Sequence, residues 1–282
     1  MNYLITGATG DLGFKTLTYL QNKVESMHLF ALARSEKKAA QLKENGINVR
    51  LGDYGDLKTL KQAFKGIDTL FFVSGNSDNR QAEHQNVIDA AKTAGVSRIV
   101  YTSIANLDQS NSLLAPDHRY TEKAIKDSGI THTFLRNNWY LENEAAVLDA
   151  ALKNKKLTTT APNGKVAWAL KREYAEAAAN ALLDATLPEI VELSGKPKSY
   201  LDLVDALNHN SSAKITIKYG NDQDFIDSLT SNGLPNEVAQ FFLAIQKDIE
   251  NNELNFHSDQ FEKLLGHPLI PLSEAVTEII SF

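Results

Sequence analysis

The stretch that decides the reading is YLITGATGDLG, residues 3–13, with glycines at Gly7, Gly10 and Gly13. An apolar run, YLIT, passes directly into small residues, and an amphipathic run, LGFKTLTYLQNK, follows. Buried strand, glycine turn and helix form, in that order, a seat for a phosphate group against bare backbone. The first amides of a helix lack intrahelical acceptors and carry the positive end of its dipole. The spacing here is G-x-x-G-x-x-G, not the G-x-G-x-x-G of the common dinucleotide fingerprint, so the context carries the reading. Taken alone, the glycines read equally well as an ordinary turn.

Working outward, the same unit recurs. Apolar strand cores lie at MHLFALAR (27–34), INVRLGD (47–53), DTLFFVSG (68–75), RIVYTS (98–103) and THTFLRNN (131–138). Helical patterns separate them: SEKKAAQLKEN, DLKTLKQAFKG, AEHQNVIDAAKTAG (82–95) and DHRYTEKAIKDSG (117–129). Strands alternating with helices predict parallel pairing through right-handed crossovers, hence an α/β fold with a doubly wound parallel sheet of the Rossmann type. The rhythm then breaks. LENEAAVLDAALKNKK reads as a helix, LTTTAPNGKVAWAL (157–170) as a strand and turn, and KREYAEAAANALLDA as an alanine-rich helix. EIVELSG (189–195) reads as a returning sheet strand, followed by SYLDLVDALNHN, the strand KITIKYG and further helices. The expected division is a nucleotide-binding domain over 1–140, with the returning strand near 189–195, and a smaller, partly interleaved C-terminal cap domain over 141–282.

Composition excludes several classes. The 282 residues hold no cysteine, which removes disulfides, thiolate metal sites and cysteine nucleophiles, so redox chemistry needs a bound cofactor. A net charge of −6 argues against general nucleic-acid binding. No apolar run approaches the roughly 18 residues of a membrane span. The chain reaches a strand by Tyr3 with no charged leader, and these features together predict a cytoplasmic protein. No H-E-x-x-H, G-x-S-x-G or Walker lysine loop occurs, and His209, His257 and His267 lack metal-ligand spacing.

The second strand decides which dinucleotide fits. An NAD site places a carboxylate near its end, but here FALARSEKK offers Arg34. A guanidinium forks onto a 2′-phosphate with charge-assisted bonds, which favours NADP(H). Asp53, closing the third strand, reads either as an acceptor for the adenine amino group or as the cap of the next helix. Thr9 and Asp11 add polar groups to the glycine turn. Asp11 suits a first helical turn but not a pyrophosphate, so its side chain is expected to point away from the phosphates.

TGATGDLG, ALAR, GDYGD, LFFVSG, AAKTAGVSRIVYTS, SGITHTFLRNNWYLEN and the late LLGHPLIPLSEAV together resemble the NmrA-like branch of the atypical short-chain dehydrogenases. Within that branch the chain is similar to the bacterial type 2 NAD(P)H:quinone oxidoreductases, with the triphenylmethane reductases near by. The resemblance implies NADP(H) in the first domain and a quinone-type acceptor in a cleft beneath the cap. It assigns Gly7, Thr9, Gly10, Asp11, Leu12 and Gly13 to the phosphate loop and Arg34 to the 2′-phosphate. Ser74, Gly75 and Asn76 match the loop near the nicotinamide ribose. Asn137, Asn138, Trp139, Tyr140 and Asn143 match the segment lining the nicotinamide and acceptor site. There Trp139 and Tyr140 would wall a flat slot for substrate, with Asn138 or Asn143 as the catalytic donor to the developing oxyanion.

The Tyr-x-x-x-Lys pair of alcohol-acting relatives is out of register, since Tyr120 and Lys123 stand three apart. Tyr120 therefore reads as a surface or packing residue, and Lys123 as a ribose contact or an ion-pair partner of Glu122. His118 reads as a helix cap or a cleft residue. Reduction of an ordinary ketone needs a proton donor, whereas a quinone yields a delocalised phenolate whose acid has a pKa of about 10. The missing pair thus favours a quinone reductase. It also fits a redox-sensing regulator that binds NADP(H) without turnover. The expected partners are a small quinone-like acceptor and, at most, a second copy of the chain as a homodimer.

Overall fold

The computed structural model describes residues 1–210 and 214–280; the expected second domain also takes in 211–213, 281 and 282, which lie outside the described residues. Contacts divide the chain into two compact units, 1–107 with 114–137 and 172–192, and 108–113 with 138–171 and 193–282.

The first unit is built on the predicted alternation. Strands β1 (Tyr3–Ile5), β2 (Leu29–Ala33), β3 (Asn48–Leu51), β4 (Thr69–Phe72), β5 (Arg98–Ile104) and β6 (Thr131–Asn137) pair in parallel in the order β3-β2-β1-β4-β5-β6. Helices α1 (Asp11–Gln21), α2 (Glu36–Glu44), α3 (Leu57–Ala63), α4 (Arg80–Ala94) and α5 (Ala115–Ser128) make the crossovers. The order reverses between β1 and β4, the switch point at which open parallel sheets bind ligands beyond their carboxyl ends. Strand β9 (Ile190–Leu193) adds a seventh place beside β6. The core joins Leu4, Leu70, Phe72, Ile99, Tyr101 and Phe134 of the strands to Leu60, Phe64, Val87, Ile88 and Ile125 from helical segments. Helix α1 buries Leu12, Thr16, Leu17 and Leu20, residues spaced to fall on one helical face. A buried ion pair ties α5 to β6: Arg136 Nε and Nη2 donate to the two Glu122 oxygens at 3.0 and 2.9 Å, and Ser103 Oγ donates to Glu122 at 2.7 Å. The expected Glu122–Lys123 surface pairing gives way to this arrangement, because helical geometry turns Glu122 inward while Lys123 pairs with Asp127 at 2.5 Å.

Helix α7 (Lys171–Leu183), after its first residue, packs in this unit, where its alanines lie buried. Small side chains let a helix lie close to its neighbours.

The second unit contains α6 (Ala145–Asn154), α8 (Tyr200–Asn210), α9 (Asp222–Thr230), α10 (Asn236–Glu250), α11 (Gln260–Leu265) and α12 (Leu272–Ile280). Two small pairings accompany them: β7 (Lys156–Thr159) parallel to β11 (Thr216–Tyr219), and β8 (Lys165–Val166) antiparallel to β10 (Lys198–Ser199). Leu148, Leu157, Trp168, Leu203, Leu207, Phe225 and Leu243 share its core. The segment read as one helix from Leu141 divides into a 3-10 turn, Leu141–Glu144, and then α6. The turn is held by Leu141 N–H donating to the Ala169 carbonyl at 2.9 Å and by Glu144 turning into the interior. Residues 108–113 join this unit through carboxylates: Ser110 Oγ and Asn111 N–H donate to Glu253, and Ser112 Oγ to Asp248, at 2.7–2.9 Å.

Candidate active site

In the first unit the predicted phosphate loop sits at the carboxyl end of β1. Gly7 has φ +60°, and a Cβ there would lie 2.9 Å from the Val73 Cβ, so both the turn and the approach to β4 require glycine. A Cβ on Gly13 would lie 2.6 Å from the Gly7 carbonyl carbon, which explains the glycine within the first turn of α1. Gly10 is the N-cap of α1 and offers no side-chain hydrogen bond to the helix start. The amides of that turn are the donors an anion would use. Gly7, Thr9, Gly10 and Asp11 are exposed, and Leu12 and Gly13 are buried. The Asp11 carboxylate forms an ion pair with Lys15 one turn along α1.

Three strand ends are bound together beside this loop. The Thr6 side-chain oxygen accepts the Val73 N–H at 2.9 Å, and the Tyr54 hydroxyl lies 2.5 Å from Thr6 Oγ1 and 2.9 Å from the Val73 carbonyl. A carbonyl only accepts, so the Tyr54 proton goes to Val73 and the Thr6 hydroxyl donates to Tyr54. Burial pushes the Tyr54 phenol well above its ordinary value, so it stays protonated.

The loop after β4 is pinned from below. Gly75 N–H donates to His84 Nε2 at 2.9 Å, and His84 Nδ1 lies 2.8 Å from Thr121 Oγ1. Thr121 Oγ1 donates to the Asp117 carbonyl, so it accepts from His84, which assigns the Nδ1–H tautomer. Burial, aided by the Arg80 charge, lowers the His84 pKa to about 4, keeping Nε2 an acceptor. Ser74 N–H donates to Thr102 Oγ1 at 2.9 Å. Asn76 is exposed.

Arg34 is exposed just beyond β2 and makes no ion pair among the described residues. Ser35 caps α2, accepting from Lys38 N–H at 3.4 Å. Asp53 is not a helix cap. Its carboxylate accepts the Gly55 N–H at 2.9 Å in a local turn, and Asp56, three residues on, caps α3 through Lys58 and Thr59 N–H groups. Asn137 closes β6, buried, with its carbonyl accepting the Ala105 N–H at 2.9 Å. Tyr120 and Lys123 face outward, Tyr120 donating to Gln85 at 3.1 Å. His118 is buried within α5, 2.9 Å from the Tyr101 hydroxyl, its pKa lowered to about 3 chiefly by burial; it neither begins the helix nor caps it.

The remaining predicted residues belong to the second unit. Asn138 is a correction to its expected role as an oxyanion donor. Its amide donates to Ser194 Oγ at 2.8 Å and to the Leu254 carbonyl at 3.2 Å, while its oxygen accepts the Trp139 N–H at 2.8 Å. Both amide hydrogens are spent, so Asn138 holds the segment in place. Asn143 is half-buried, its backbone N–H donates to the Tyr140 carbonyl at 3.0 Å, and its side chain makes no hydrogen bond among the described residues. Tyr140 pairs in a bridge with Ala169, and the Lys171 ammonium lies 5.7 Å from its ring centre. Trp139 is half-buried against the core, its indole N–H donating to Glu144 at 3.0 Å.

Glu144 itself escaped the sequence reading, as did Tyr54, His84 and the Glu122–Arg136 pair. Glu144 is buried and accepts from Trp139 Nε1, Trp168 Nε1 at 3.2 Å and the Tyr200 hydroxyl at 3.2 Å. Burial, only partly offset by these donors, raises its pKa to about 7. No group of three or more metal-binding side chains occurs among the described residues, and none of their helices is long and apolar enough to cross a membrane.

A turn shaped for an anion, on the first crossover of a parallel sheet, defines a nucleotide-binding protein, and the chain belongs to the NAD(P)H-binding family, whose model matches residues 7–173. An NmrA-like family domain-containing oxidoreductase of Aspergillus flavus is 26% identical over 293 residues, covering 99% of this chain and 95% of that one. Quinone oxidoreductase 2 of Escherichia coli (strain K12) is 37% identical over 280 residues, covering 98% of each chain. The crystal structure of the Escherichia coli NADPH-dependent quinone oxidoreductase complexed with NADPH superimposes with a TM-score of 0.92, over 98% of this chain and 99% of that one. The Citrobacter sp. triphenylmethane reductase complexed with NADP(H), 32% identical, gives a TM-score of 0.94 over 99% and 100%.

Proposed function

We propose that this protein is an NADPH-dependent reductase that delivers a hydride to a quinone-type acceptor. The observation that carries the reading is identity of 37% over 98% of both chains with an Escherichia coli quinone oxidoreductase. The residues present fit the cofactor. The Gly7–Gly13 turn closes so tightly that a Cβ at either end would collide with neighbouring protein atoms, and Thr9, Gly10 and Asp11 beside the first amides of α1 are exposed, as an anion site requires. Arg34 stands exposed where an NAD site would carry a carboxylate, free of any acidic partner among the described residues.

Bound NADPH supplies the hydride. The chain supplies position and charge. Amides of the first α1 turn take the pyrophosphate, and Arg34 takes the 2′-phosphate. Tyr54, Thr6 and His84 keep the loops after β1, β3 and β4 in register. Asp11 pairs with Lys15 and Asp53 accepts the Gly55 N–H, so both sit at the cofactor loops in roles other than holding phosphate. Trp139 and Tyr140 present rings to a flat acceptor, and Asn143, whose side-chain amide is uncommitted, donates to the oxygen that gains charge. A delocalised phenolate asks less of a donor than an alkoxide, which accounts for the displaced Tyr-x-x-x-Lys pair. The first unit is the nucleotide domain of this proposal and the second its cap. A cytoplasmic setting and a homodimer stay within it.

The test is steady-state oxidation of NADPH with menadione. Turnover that falls by roughly tenfold in Asn143→Ala supports the reading; a donor to a full alkoxide would cost about 100-fold or more. Binding of NADPH without turnover on a panel of quinones would instead support a redox sensor.

A further inference from the structure

The two tryptophans of this chain, Trp139 and Trp168, converge on one buried carboxylate. Both indoles meet the same Glu144 oxygen, Oε1, and the Tyr200 hydroxyl meets Oε2. An indole N–H only donates. Tyr200 is also constrained: the Gln246 amide donates to its oxygen at 2.5 Å, which turns the phenol proton toward Glu144. Gln246 is oriented in turn, because its own oxygen accepts from Thr159 Oγ1 at 2.6 Å and Thr160 N–H at 3.1 Å. Three hydrogens therefore point at one carboxylate, and the chain of donors behind them leaves no bond to reverse. No cation among the described residues pairs with Glu144, and Tyr200 is its one titratable partner.

Such a network fits an anion held by neutral dipoles. A proton on Oε1 would confront two N–H groups. A proton on Oε2 would confront a hydroxyl that already accepts from Gln246. Either way at least one bond is lost. Of the two indoles, Trp168 is 8% exposed and serves the core, whereas Trp139 is half-buried and keeps part of its ring open.

We infer that Glu144 is a positioning residue for the acceptor, fixing the open indole of Trp139 at the angle against which a flat aromatic guest stacks. This rests on the reading of Trp139 as an acceptor-lining residue. Asn143, the proposed donor, precedes Glu144 directly, so the turn that carries the donor also carries the anchor of the wall. The Glu144→Leu variant removes both acceptor oxygens, which frees the indole while changing little volume, whereas Glu144→Gln abolishes the titration but keeps one oxygen that both indoles can share.

The experiment has two independent readouts. The first is intrinsic fluorescence of the protein alone against pH. One step with a midpoint near 7 is expected in the wild type, absent in Glu144→Gln and moved to higher pH in Trp139→Phe, Trp168→Phe and Tyr200→Phe, each of which loses one donor to the anion. The second is kinetics with menadione. Glu144→Leu should raise the quinone KM by roughly tenfold, with kcat and the NADPH dissociation constant changed by less than about twofold. Should Glu144→Leu fold poorly, Tyr200→Phe carries the same test through its shifted midpoint and a smaller rise in KM. A wild-type titration with no step, or a step that survives Glu144→Gln, overturns the network. A step lost in Glu144→Gln with the quinone KM unchanged in Glu144→Leu overturns the positioning role while leaving the reductase reading intact. NADPH binding with no menadione turnover in the wild type defeats the reductase reading instead.

Discussion

Two of the buried carboxylates, Glu122 in the first unit and Glu144 in the second, are held in opposite ways. Glu122 in the first unit faces Arg136 through two bonds and a serine hydroxyl through a third, and Arg136 reaches Glu192 at 3.2 Å as well. Glu144 in the second unit has three donors and no cation. The first arrangement ties a helix to a strand of the sheet with charge against charge. The second leaves a carboxylate whose pKa is raised to about 7 by burial, because dipoles alone offset only part of the lost hydration. Charge met by charge anchors the fold, and charge met by dipoles can respond to pH in the segment assigned to the acceptor.

The largest effect should come from breaking the compensated pair. Arg136→Leu leaves Glu122 buried without its cation and should cost about 3–5 kcal/mol in urea unfolding. The double variant Arg136→Leu, Glu122→Leu should recover much of that loss. If the single variant costs under ~1 kcal/mol, the pair does not anchor the fold.

Glu144 should show the reverse behaviour. Below pH 4.5 its carboxyl is protonated folded or unfolded; above about 7 it is charged in both, and the buried charge has its full cost. Wild-type stability should therefore fall, relative to Glu144→Gln, by roughly 3 kcal/mol as pH rises through that window. A constant difference across pH would contradict the raised pKa. His84 carries the opposite slope, since its pKa is depressed to about 4. Its contribution is present above its unfolded value of 6.5 and is lost as pH falls toward 4.

The comparison extends to a cation that lacks a carboxylate. Arg34→Ala should weaken NADPH by about 1.5–3 kcal/mol and leave NADH nearly unchanged, as read by calorimetry. Equal weakening of both would remove the 2′-phosphate assignment. The smallest effect expected is at His84: His84→Phe orphans the Gly75 N–H and should cost about 1–3 kcal/mol of stability, while His84→Gln, which keeps an acceptor, should cost less.

Much of the first unit was legible because its signals are local. Each strand is a short apolar run, and the glycine turn announces itself by spacing before a helix. Arg34 is readable from its place at a strand end. What escaped depends on residues far apart in the chain. Tyr54 lies within a motif read for Asp53, but its hydroxyl meets Thr6, 48 positions away. Glu144 lies inside LENEAAVLDAALKNKK, which reads only as a helix. Its partners come from 5, 24 and 56 positions away, and no periodicity reveals such convergence. Asn138 was visible as a polar side chain at a strand end, but its two amide hydrogens are used by Ser194 and Leu254, which only the tertiary fold brings to it. Asp53 lost the helix cap to Asp56 because the chain makes one more turn first.

The most direct test of the central claim is a single turnover under anaerobic conditions, mixing NADPH-loaded protein with one equivalent of menadione. The account predicts loss of the nicotinamide absorbance band matched one for one by hydroquinone. A nicotinamide band that persists while calorimetry records both molecules bound would contradict it.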